Sequence, residues 1–197
     1  DEVHVINTVD GMRPFVERTL RLPISGAPRD VVPVGRGIGL ANGAFWIMDP
    51  RADPRAADVS LPMADRHAIE VTTWSDRVVV ADGNLTVFDV SDPIAPVEEG
   101  MVETPGSASA TASASHRLLV ADSHAGLSIF DLAPGSDVGQ ATHRGTVDVG
   151  GEALDVAVAG SFAYVAAEAA GLVVVDLVQE SAVMTLHYWE EGASEYA

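Results

Sequence analysis

One phrase recurs along this chain, and its recurrence limits the fold more than any other feature. A β-branched and aromatic run ends in aspartate at Asp49 ("AFWIMDP"), Asp89 ("LTVFDVSDP"), Asp131 ("LSIFDLAPG") and Asp176 ("LVVVDLVQE"), and "VHVINTVDG" adds Asp10. The steps between these aspartates are 39, 40, 42 and 45 residues. A shorter run ending in alanine precedes each of the last four: "GIGLA" at Ala41, "RVVVA" at Ala81, "RLLVA" at Ala121 and "FAYVA" at Ala166. Before these lie "RDVVPV", "IEVTTW", "SATASA" and "LDVAVA"; after the aspartates come "ADVSLP", "PVEEGMVE", "THRGTVDV" and "AVMTLHYW". Each unit therefore reads as four strands joined by Gly, Asp, Ser and Pro turns, with no helical periodicity between them. A lone sheet of four strands cannot bury both faces. Repeating it every 40–50 residues or so lets neighbours cover one another, which is the logic of a β-propeller. The fold class expected is all-β, a β-propeller of four-stranded antiparallel blades.

The repeat register also places "SASATASAS" (107–115) as a strand, although its composition alone is that of a flexible linker. Small side chains suit the crowded innermost strand of a blade. The expected organisation is one domain over 1–197: a partial blade at 1–26, blades at 27–65, 66–106, 107–150 and 151–189, and an acidic tail at 190–197. The opening segments "EVHVINTV" and "FVERTLRLP" read as the third and fourth strands of a unit, giving about four and a half blades. Three arrangements fit this count: part of a longer propeller, open arcs pairing between chains, or a small closed ring. An open arc leaves an unpaired strand edge, so a covering chain or domain is expected.

The units resemble the LVIVD repeat family. The resemblance is carried by "LDVAVAGSFAYVAAEAAGLVVVD" (154–176) and "VVVADGNLTVFDVSDP" (78–93), and is weakest at "GIGLANGAFWIMDP". It implies a propeller of the kind common in secreted or surface-attached proteins, and implies no particular activity.

Composition narrows the partners. There are 29 acidic residues against 11 basic ones, every base is arginine, and the net charge is −18. Nucleic-acid binding needs clustered cations, so that class is excluded. The charge fits a solvated surface suited to salt, or one that attracts cations or a basic partner. The apolar runs Val78–Ala81 and Leu172–Val175 are far shorter than the ~20 residues of a membrane helix, so no membrane insertion is expected. With no cysteine there is no disulfide framework or thiolate site. No basic-then-apolar leader opens the chain at Asp1, which leaves open a leader or further segment upstream.

The candidate sites divide by position. "VGRGIGLANG" (34–43) has the look of a dinucleotide loop, but a strand follows it where that motif needs a helix, so a hairpin turn is expected. The unit-ending Asp49, Asp89, Asp131 and Asp176 suit Asx-turns that accept backbone N–H groups. Asp30, Glu70 and Asp155 start the first strand of their units, where the third unit has Ala110, and Asn42, Asp82 and Asp122 follow the second strand. In a propeller both positions fall on one face at the channel mouth. The residues proposed there are Asp30, Glu70, Asp82, Asp122 and Asp155, whose oxygens suit Ca²⁺ or the cation of a basic partner. Ca²⁺ is the only cofactor suggested. His4, His67, His116, His124, His143 and His187 have no zinc spacing, and no nucleophile elbow stands out, so no catalytic residue is assigned. Asn84 in "NLT" is formally a glycosylation acceptor, but it falls in a tight turn. Trp46, Trp74 and Trp189 are expected in packing between blades, with Trp74 also placed to line a face.

The function expected is a non-catalytic, extracellular or surface-exposed binding and assembly module, with a protein partner or self-association across an open edge. The alternatives are a polymer-acting hydrolase or lyase with its site at the channel mouth, and a structural subunit whose partner completes the ring.

Overall fold

A computed structural model describes residues 2–9, 13, 15–21, 28–35, 37–41, 43–48, 59–61, 68–74, 77–92, 95–131, 136 and 138–186. Among them the chain is all-β apart from two single 3₁₀ turns, Val138–Gln140 and Glu168–Ala170. Four antiparallel four-stranded sheets, each in simple chain order, form the blades of a β-propeller. Asp10, Asn42, Asp49, His67, His187, Trp189 and the acidic tail lie outside the described residues.

The chain divides into two compact units. The first, Asp1–Glu103 with Pro134–Gln140, opens with the antiparallel pair β1 (Glu2–Asn7) and β2 (Phe15–Arg21). It continues with the sheet of β3 (Asp30–Val34), β4 (Gly37–Ala41), β5 (Phe45–Met48) and β6 (Val59–Leu61). The sheet of β7 (Glu70–Trp74), β8 (Arg77–Ala81), β9 (Leu85–Asp89) and β10 (Val97–Val102) follows. "VGRGIGLANG" is thus the β3–β4 hairpin and the strand after it. The two sheets share a core in which Ala41, Phe45 and Ile47 meet Val71, Val80 and Phe88. The Phe45 and Phe88 rings lie 5.2 Å apart. Each large side chain enclosed here contributes about 1.5–3 kcal/mol.

The second unit, Thr104–Ala133 with Ala141–Ala197, holds the sheet of β11 (Ala110–Ala114), β12 (Arg117–Ala121), β13 (Leu127–Asp131) and β14 (Thr142–Val147). Its other sheet has β15 (Ala153–Ala159), β16 (Phe162–Ala167), β17 (Gly171–Asp176) and β18 (Ser181–Leu186). Leu119, Leu127 and Ile129 of the one pack on Val156, Val165 and Val175 of the other. "SASATASAS" contributes the strand Ala110–Ala114, and Ala110 is buried in this core.

Strand register repeats as the sequence alignment requires. Asp30 faces Ala41, Glu70 faces Ala81, Ala110 faces Ala121 and Asp155 faces Ala166. The last of these pairings follows a bulge that skips Leu154. A second irregularity recurs in the fourth strands, where one residue is left out of the ladder: Glu99, Arg144 and Val183. A bulge re-aims the side chain it carries.

Candidate functional site

The turns after the second strands hold the first part of the site. Asp82 Oδ1 accepts the Asn84 N–H at 3.1 Å, and its Oδ2 accepts the Thr86 hydroxyl at 3.0 Å. Asp122 repeats the arrangement one sheet later. Its Oδ1 accepts from the Thr104 hydroxyl at 2.7 Å, and its Oδ2 from the Gly106 N–H at 3.0 Å and the Ser128 hydroxyl at 2.8 Å. The sequence places Asp122 at an open rim; the structure instead encloses it completely, because Thr104 and Gly106 close over it. Gly106 is required there: a Cβ would stand 2.0 Å from the Asp122 carbonyl oxygen. A buried carboxylate with three donors is a frame element, since each donor offsets part of its desolvation.

Thr86 and Ser128 occupy the same register position, opposite Val80 and Val120, and both are buried. The last sheet has Ala167 and Val173 at the positions of Asp122 and Ser128. Replacing both partners of a buried polar pair by apolar groups leaves nothing unsatisfied. The signal for this pairing, an Asp before a third strand whose second residue is Ser or Thr, is present in the sequence at both units.

The carboxylates that start the first strands are set differently. Asp30 Oδ1 accepts its neighbour Val31 N–H at 2.7 Å, and Oδ2 reaches the Val71 N–H of β7 at 3.0 Å, tying two sheets of the first unit together. Glu70 is half-buried at the start of β7. Asp155 is exposed, and its Oδ1 accepts the Val156 N–H at 2.7 Å. Among the described residues, no three His, Asp or Glu side chains come together in a way that could hold a metal ion.

At the ends of the third strands, Asp89 Oδ1 accepts the Ser91 N–H at 2.7 Å. Asp176 Oδ1 accepts those of Val178 at 2.7 Å and Gln179 at 3.2 Å. These are the Asx-turns expected. The Ser91 N–H is the main reason the Asp89 carboxyl sits below the ordinary carboxylate range. Asp131 takes part in ion pairs instead, with Arg144 Nη1 at 3.0 Å and Arg117 Nε at 3.6 Å. Glu180 joins them by bonding both Arg117, at 3.3 Å, and Arg144. The Glu180 carboxylate, ahead of Asp131, raises the Arg144 guanidinium above its usual range.

Two arginines that site reasoning from the sequence passed over carry the clearest repeated chemistry. Arg77 and Arg117 each start a second strand, opposite Asp89 and Asp131. Arg77 is buried and forks onto Glu99 through Nε at 2.6 Å and Nη2 at 3.1 Å. Its Nη2 also donates to the Ser136 carbonyl at 3.0 Å. Arg117 Nη1 donates to the Leu177 carbonyl at 2.5 Å. Ser136 lies in the connection after β13 and Leu177 in that after β17, so both arginines reach carbonyls in corresponding connections, though not at the same position within them. The bulged Glu99 and Arg144 are the fourth-strand partners in these clusters.

The histidines are scattered. His124 and Glu152 pair at 2.7 Å, His143 lies against the Phe130 ring, and His4 bonds Thr19. Trp74 is buried, and Trp46 and Asn84 are half-buried.

Two stretches of the chain, 77–104 and 150–186, match the family model described as the LVIVD repeat. The likeness to the LVIVD repeat covers these two stretches, about a third of the chain. The matched LVIVD stretches contain β8–β10 and β15–β18, the regions that hold Arg77, Asp82 and Asp155. No curated protein matches the sequence. Among solved structures, glutaminyl cyclase from Myxococcus xanthus is similar at a TM-score of 0.55 and 12% identity, over 81% of this chain and 70% of that one. Hsv2 from Kluyveromyces lactis is similar at 0.64 and 12% identity, over 88% of this chain and 55% of that one. The chain thus spans about half the length of Hsv2. At such identity the likeness concerns the fold alone.

Proposed function

We propose that this LVIVD-repeat chain is a non-catalytic binding and assembly module, working outside the cell or at its surface. The observation that carries the reading is the set of large apolar side chains exposed on fourth strands: Val97 and Met101 of β10, and Val183, Met184 and Leu186 of β18. Exposed apolar side chains grouped along one strand, as on β18, offer contact area to another macromolecule. The repeated carboxylates fit the same reading, because Asp30, Asp82 and Asp122 are engaged by donors of the blades themselves. The extracellular setting is what the resemblance to LVIVD repeats implies.

The channel-mouth carboxylates keep a narrower proposed role. Of the carboxylates picked out from the sequence, Asp155 is the exposed one, and a Ca²⁺ ion or a basic partner would meet that side chain. Native mass spectrometry with and without Ca²⁺, on the wild type and Asp155→Asn, tests that role. Loss of a calcium adduct in the variant supports it; identical spectra reject it. The module reading itself is tested by assaying the wild type, Asp82→Asn and Asp155→Asn on a panel of polysaccharides and peptides. No turnover is expected, and turnover abolished by a single carboxylate substitution would show a polymer-acting enzyme instead.

A further inference from the structure

The pair β1–β2 has the register of a blade's third and fourth strands. Asn7 faces Phe15 and Ile6 faces Val16; Glu17 is then left out, and Val5, His4 and Val3 face Arg18, Thr19 and Leu20. The ladder of Leu85–Asp89 with Val97–Val102 is interrupted at the same point by Glu99, and that of Leu127–Asp131 with Thr142–Val147 by Arg144. Asn7 thus takes the place of Asp89 and Asp131. The bond between His4 and Thr19, 3.0 Å, likewise repeats that between Ser128 and Thr146, 3.3 Å.

In the complete sheets the other edge of the third strand carries the second strand. Arg77–Ala81 pairs with Leu85–Asp89, and Arg117–Ala121 with Leu127–Asp131. Among the described residues β1 pairs with β2 alone, which leaves the edge of Val3–Asn7 open.

Val31 marks the same missing strands independently. Within each unit, the first strand of a sheet is covered by the first and second strands of the sheet before it. β3 and β4 lie against β7, and β11 and β12 against β15. Val71 and Val156, on the covered strands, are accordingly 1% and 5% exposed. Val31 holds the same register position in β3, but the pair that precedes it has no first or second strand, and it is 51% exposed. Leu40, its partner in β4, is fully enclosed, so the first-strand member of the pair is the bare one.

We infer that the edge of β1 takes a β-hairpin from a separate polypeptide by strand addition, a step that rests on the assembly reading and gives the partner's chemistry. The register defines the hairpin. Its second strand is a run of β-branched and small residues whose final alanine sits opposite Val3, and its first strand lies beyond and covers Val31. Among the described residues every first and second strand of this chain is already engaged in its own sheet, so the hairpin comes from outside them. An open edge invites pairing, and a lone hairpin is marginal in water, so each stabilises the other.

A synthetic peptide of residues 69–82, which carries the sequences of β7 and β8, is the probe; Ser75→Asn and Asp76→Gly in it hold the turn. Fluorescence anisotropy of the labelled peptide with the full chain should show saturable one-to-one binding. Val31→Glu should weaken that binding more than about tenfold, with the circular dichroism of the chain unchanged. Val79→Pro in the peptide removes a ladder N–H and should abolish it. No binding, or equal binding by the wild type and Val31→Glu, overturns the inference. Peptide released again at high chain concentration would show that a second copy fills the edge. A longer polypeptide from the source cells that rejects the peptide would show that its own chain does. Either result overturns the separate partner. Such a failure leaves the assembly reading with the exposed residues of β10 and β18, whereas the enzyme assays described above bear on that reading alone.

Discussion

Asp122 accepts three donors while wholly enclosed, so its removal would take an acceptor from two hydroxyls and one N–H. Asp122→Ala is expected to lower unfolding stability by about 3 kcal/mol, read from the urea midpoint. Asp155→Ala, at an exposed carboxylate, should cost no more than about 0.5 kcal/mol. Equal effects at the two would mean that enclosure does not distinguish them. The pairing of Asp82 with Thr86 and of Asp122 with Ser128 was legible in the sequence, since the residues recur in register. The closure by Thr104 and Gly106 was not: it depends on how the chain entering β11 folds back over the turn, 16–18 residues away along the chain.

At the scale of the element, strand identity and pairing followed from period-2 apolar runs, from aspartates at strand ends and from turn residues between them. The Ser/Ala-rich β11 was legible only through its alignment with β7 and β15, because its own composition carries little strand preference. The bulges were illegible, since an extra residue shifts a period-2 alternation by one and these largely exposed fourth strands have no clear alternation to shift. Their effect is measurable. A double-mutant cycle on Arg77→Met and Glu99→Gln should show a coupling of about 1 kcal/mol or more, because the fork is bidentate and Arg77 is buried. The pair of exposed His124 and half-buried Glu152 should couple by a few tenths of a kcal/mol at about neutral pH. A coupling for Arg77 and Glu99 no greater than that of His124 and Glu152 would separate the bulge from any stabilising role.

For the whole molecule, charge sets the conditions of stability. The excess of 29 acids over 11 bases makes the folded chain repel itself, and the ion pairs around Arg117 and Arg144 offset this only locally. Raising NaCl from about 0.1 M to 1 M shortens the screening length from about 10 Å to 3 Å. The melting temperature should therefore rise with salt. A fall would show that the ion pairs outweigh the general repulsion. The all-β repeat architecture was readable from spacing alone, but which carboxylates face solvent was not, because exposure depends on neighbours distant along the chain. The fourth-strand bulge has a further effect on how such a chain can diversify. Glu99, Arg144 and Val183 stand where the ladder makes no demand on side-chain identity, so one is acidic, one basic and one apolar on the same backbone frame. Three of the four sheets thus have a position that the ladder leaves unassigned, where a blade can hold chemistry of its own, such as the fork of Arg77 and Glu99, without losing its register.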